Sequence, residues 1–86
     1  MAPFEFETRI RAGDIDCVTI YRPDPGAPWG VYAYGERLPA DTLNAIQLDD
    51  GSRRSWEAVD AALSFIRRHG WRQTVVIDES GLANAP

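Results

Sequence analysis

A chain of 86 residues, 44% hydrophobic and 26% charged, has room for one core but not two, and is too apolar to remain disordered. Thirteen acidic residues outweigh nine arginines, with no lysine; the net charge of −4 disfavours nucleic acid unless the arginines cluster in space. The single cysteine, Cys17, excludes an internal disulfide and a cysteine-rich metal centre, and no apolar run is long enough to cross a bilayer.

The opening stretch MAPFEFETRIR carries acidic residues and no apolar block, so no secretory signal is expected and a cytoplasmic location is. From Phe4 it alternates: Phe4, Phe6, Thr8 and Ile10 against Glu5, Glu7, Arg9 and Arg11. Period two predicts a half-buried strand over 4–11, turning at 12–14 into an antiparallel partner at CVTIYR, 17–22. PDPGAP, 23–28, is a stiff loop, and WGVYAYG, 29–35, predicts a third strand. Its alternation places Trp29, Val31 and Ala33 on one side and Tyr32 and Tyr34 on the other.

Residues 36–51 admit either a short helix starting at Pro39 and Asp41 or a further strand at TLNAIQL, 42–48, ending at the Asp49-Asp50-Gly51 turn; the strand is favoured. A helix is then expected from Ser55 as N-cap to Gly70 as the left-handed residue after its end. At about 100° per residue, Trp56, Val59, Ala62, Leu63, Phe65, Ile66 and His69 fall in one half of the wheel, facing a core. QTVVID, 73–78, predicts a last strand, apolar on both faces, and 79–86 a loose tail. The expected fold is α+β: a β-β-β-(β)-α-β two-layer sandwich, with one long helix on a mainly antiparallel sheet of four or five strands. Residues 1–78 would form a single domain.

Few residues carry a case for chemistry. His69, the one histidine, belongs to the last helical turn and is expected to pack there, one ring nitrogen bonded to a carbonyl or water. Catalysis would require Cys17 or Asp78 within its reach, which no local motif provides. Asp14 and Asp16, and the turn at 49–52, match turn chemistry better than a cation loop. The glycines at 26, 30 and 35 do not lead into a helix, so no phosphate loop is present. No metal, cofactor or catalytic residue is therefore assigned.

Tyr32 and Tyr34 would stand on the sheet face that a single helix leaves open. Flanked by Glu5, Glu7, Arg9 and Arg11, they form the expected partner-binding surface. The expectation is a small acidic binding or regulatory module, not an enzyme, that acts by protein–protein contact. Self-association as a homodimer would cover the second apolar face of the last strand. The alternative is single-stranded nucleic acid stacked on the tyrosines, with Arg9, Arg11 and Arg22 on its phosphates.

Overall fold

The first element is not a strand. In the computed structural model, which describes residues 1–79, helix α1 spans Pro3–Ala12. Pro3 stands in its first turn, where a missing N–H costs nothing, and Gly13 ends it at φ 80°. The side chains read as strand alternation pair along a helix instead: Glu5 with Arg9 and Glu7 with Arg11, each at 3.8 Å. Phe6 and Ile10, also four apart, turn to the core, while Phe4 is 79% exposed.

Strands β1, Cys17–Arg22, and β2, Gly30–Tyr34, form an antiparallel pair with Val18 opposite Ala33 and Ile20 opposite Val31. All four of these side chains are fully buried. The connecting loop is braced by the Gly26 N–H donating to the Asp24 carboxylate at 2.9 Å.

Residues 42–48 run beside β2 but do not make a strand. They touch it at one isolated bridge, Tyr32 to Ala45, and a second bridge joins Gln47 to Arg53. The side-chain amide of Asn44 donates to the Ala33 carbonyl at 2.7 Å, occupying the acceptor a continuing ladder would use. Met1 closes the outer side: its ammonium donates to the carbonyls of Leu43 at 2.7 Å and Ala45 at 2.6 Å, and Gln47 N–H donates to the Met1 carbonyl.

Helix α2 spans Val59–Arg68, starting three residues later than expected. Ser55 is not its cap; Ala58 holds that position with no side-chain bond. Trp56 is drawn away by a backbone exchange with Trp29, N–H to carbonyl at 2.9 and 2.8 Å. That pairing buries both indoles and cancels the first turn of helix. The single long helix is thus replaced by two helices of ten residues. At the far end, Gly70 takes φ 105°, Trp71 is buried, and Arg67 donates to the carbonyls of Trp71 and Gln73 at 3.0 and 2.6 Å.

Strand β3, Val75–Glu79, lies parallel to β1, with Val18 opposite Val75 and Ile20 opposite Ile77. It includes Glu79, assigned above to the tail; the rest of that tail lies outside the described residues. Among the described residues the sheet has three strands, not four or five, in the order β2-β1-β3, with one antiparallel and one parallel pair. As an edge strand β3 is not buried on both faces: Val76 is 47% and Ile77 54% exposed.

One core joins these parts. Phe6, Val18, Ile20, Val31, Ile46 and Ile66 are fully buried in a single cluster that Trp29, Trp56, Phe65 and Trp71 complete. Both helices contribute to it, so they share one face of the sheet. Among the described residues no charged or polar side chain is buried, and no helix is long and apolar enough to cross a membrane.

Candidate functional site

The face of the sheet opposite the core is set by alternation. Cys17, Thr19 and Tyr21 of β1, Tyr32 and Tyr34 of β2, and Val76 and Asp78 of β3 share it. The rings of Tyr21 and Tyr32 meet edge to face, centroids 5.8 Å apart at 83°. Gly30 makes that possible, because a Cβ there would press on the Tyr32 ring at 3.0 Å. The Tyr32 hydroxyl accepts a hydrogen bond from Arg53 at 2.7 Å. Tyr34 is 45% exposed; partial burial raises its phenol pKa, with smaller contributions from Tyr32 and Cys17.

Thr19, Tyr21, Tyr32, Tyr34 and Asp78 line an open hollow of about 310 Å³. Tyr34 also borders a second hollow of about 570 Å³, whose wall includes Asp16, Glu36 and Asn44. Tyr34 therefore stands on the ridge between an aromatic hollow and one with an acidic rim. The Asp16 carboxylate is tied into that rim by accepting the Glu36 N–H at 2.9 Å.

The six residues expected to share a surface do not assemble. Tyr32 and Tyr34 lie on the open face, as expected, but Glu5, Glu7, Arg9 and Arg11 belong to α1 in the helical layer. Arg9 is held by Asp14 at 3.1 Å as well as by Glu5. Arg22 pairs with Glu79 at 2.8 Å and stacks 4.2 Å over the Trp29 ring. Among the described residues, Arg53 is the arginine that hydrogen-bonds to this tyrosine face.

His69 packs as the helix pattern implied. Its Nδ1 lies 2.8 Å from the Phe65 carbonyl, and its ring lies 4.2 Å from Phe65 and 6.2 Å from Phe6 between centroids. Cys17 and Asp78 point to the tyrosine face, so the fold does not bring them to His69. Asp50 accepts bonds from the Ser52 N–H and hydroxyl at 2.9 and 2.5 Å, which lower its carboxyl pKa; this is turn chemistry. Among the described residues no three His, Cys, Asp or Glu side chains converge on a metal-sized point.

Sequence reasoning overlooked Tyr21 and the β3 contribution, and did not join Arg53 to the tyrosines. Alternation in CVTIYR could have revealed Tyr21, since Val18 and Ile20 claim the other side. Arg53 and Val76 carried no local signal, because they reach this face through long-range pairing.

Comparison with protein-family models, with curated proteins and with solved structures finds no match.

Proposed function

We propose that the chain is a non-enzymatic binding module that acts by protein–protein contact, self-associates, and presents the open sheet face as its recognition surface. One observation carries this reading. Three tyrosines, Tyr21, Tyr32 and Tyr34, stand together on a face that neither helix covers, beside the exposed Val76. Tyrosine supplies broad contact area at low entropic cost and is enriched at interface hot spots. The single cysteine suits a reducing compartment, and we place the protein in the cytoplasm.

The test is capture of partners from native lysate on tagged full-length protein, with and without nuclease. A protein retained after nuclease and lost with the Tyr32→Ala/Tyr34→Ala variant supports the reading. Retention unchanged by that variant would remove the tyrosine face from it.

Single-stranded nucleic acid is the second reading, favoured by the tyrosine rings and Arg53 on one face. It has less support, because Arg9, Arg11 and Arg22 are paired with carboxylates away from the tyrosines. Oligonucleotide titration at low salt separates the two: no binding removes it.

A further inference from the structure

The sheet has two edges, and the fold treats them differently. The β2 side is closed by residues 43–47, themselves covered by Met1. Among the described residues nothing pairs with the outer side of β3, where alternate backbone N–H and C=O groups point away from β1. Edge strands are ordinarily blunted by lysine, proline or a bulge. Val75, Val76 and Ile77 carry none of these, and Val76 and Ile77 are about half exposed.

We infer that the β3 edge is the seam of a two-fold homodimer, in which a second copy's β3 pairs antiparallel about Val76 and the two sheets become one of six strands. This rests on the self-association proposed above and names its geometry.

The sequence of the edge selects this occupant. A two-fold axis perpendicular to the sheet keeps each face on its own side, so helix-face residues meet helix-face residues. Centred on Val76, the pairing sets Val75 against the second copy's Ile77 and Val76 against its own equivalent. The partly buried Val75 then covers the exposed Ile77, extending the core across the seam. Thr74 meets the second copy's Asp78, a hydroxyl beside a carboxylate. Charge decides the direction. Parallel pairing would stack Asp78 on Asp78 and Glu79 on Glu79, whereas the antiparallel one carries these acids to the second copy's Thr74–Gln73 end, beside the exposed Arg72. Both copies keep their tyrosine faces on the same side, leaving them free and continuous.

Sedimentation of the full chain over a concentration series tests this. The expected wild-type species has about twice the 9.6 kDa chain mass. Val76→Lys, which places two ammonium groups at the axis, should raise the dissociation constant at least tenfold while leaving the circular dichroism unchanged; Tyr34→Ala should leave the dimer intact. Because Val76 is half exposed, a second variant guards against misfolding: Val76→Cys in a Cys17→Ser background should oxidise to a covalent dimer. A wild-type monomer at high micromolar concentration overturns the inference and the self-association, but not the partner-binding face. A dimer that survives Val76→Lys and is lost in Tyr34→Ala overturns the inference alone, moving the seam to the tyrosine face.

Discussion

Phe6 of α1 lies stacked on Phe65 of α2, ring planes 6° apart and centroids at 6.0 Å. This contact binds the first helix to the rest of the core, since Phe6 is fully buried although its neighbours Glu5 and Glu7 are not. Phe6→Ala should therefore destabilise the fold by about 3–5 kcal/mol, the range for emptying a buried aromatic site. Phe4→Ala, two residues away and exposed, should change stability by about 0.5 kcal/mol or less. Urea unfolding of the two variants separates a helical α1 from a strand, which would bury both phenylalanines alike.

Two glycines test different physical requirements. A Cβ on Gly35 would fall well inside the contact distance of the Asp14 carbonyl, where Asp16 N–H also donates to Tyr34 O at 2.7 Å. Gly35→Ala must push two backbone segments apart and should cost at least about 1–3 kcal/mol. Gly13 has open space around it but a φ of 80°, so Gly13→Ala should cost about 1–2 kcal/mol through conformation alone. Gly13→Asn, better suited to the left-handed region, should recover part of that loss, whereas Gly35→Asn should be worse than Gly35→Ala. Thermal melts of the four variants give the ranking.

Alkaline titration should find Tyr34 ionising above the ordinary phenol range. The phenol of Tyr34 is raised above its ordinary value of 10.0 by burial first and by Tyr32 and Cys17 second. A group whose folded pKa exceeds its unfolded one contributes stability that is present below the unfolded value and lost as pH rises through the folded value. Stability should accordingly fall above about pH 10, more gently in Tyr34→Phe, which has no proton to lose there. The late phase in phenolate absorbance should vanish in that same variant.

Arg22 joins β1 to β3 through Glu79 and covers Trp29 with its guanidinium plane. Arg22→Ala should cost about 1–2 kcal/mol, from the lost packing and the carboxylate left behind. Lysine can restore charge but not the delocalised guanidinium over the Trp29 ring, so Arg22→Lys should recover less than half. A double-mutant cycle with Glu79→Gln isolates the ionic share, and hydrogen exchange should show β3 amides opening before those of β2.

Much of this fold could be read along the chain, where short-range chemistry decides. The strands at CVTIYR and GVYAY, the stiff loop between them and the Gly70 helix end follow from alternation, proline and glycine. The opening segment failed because four alternating apolar and polar positions fit a strand while Phe6 and Ile10 equally fit one helical stripe. Pro3, Gly13 and the two glutamate–arginine pairs four apart held the deciding information. Ser55 failed as a cap because Trp56 is claimed by Trp29, a partner no local rule reveals. β3 was located, but its parallel pairing with β1 was not legible, since that pairing depends on the whole intervening chain. The site shares that division: Tyr32 and Tyr34 were legible from alternation, but their neighbours Arg53, Val76 and Asp78 are brought there by tertiary pairing.

The central strand takes its two neighbours on different timescales. β1 and β2 are joined by a short loop, so their pairing closes a small ring of chain at little entropic cost. The β1–β3 ladder joins residues as far apart as Arg22 and Glu79, 57 positions away in sequence, and forms only once α2 has crossed the hairpin. Folding should be correspondingly slow for so short a chain, with a rate set by that crossing and not by either helix. During biosynthesis the hairpin stands ready before its last strand has been made, and until β3 docks, Val18 and Ile20 lie along an open flank of β1. The interval between those two events is when this chain is most exposed to aggregation.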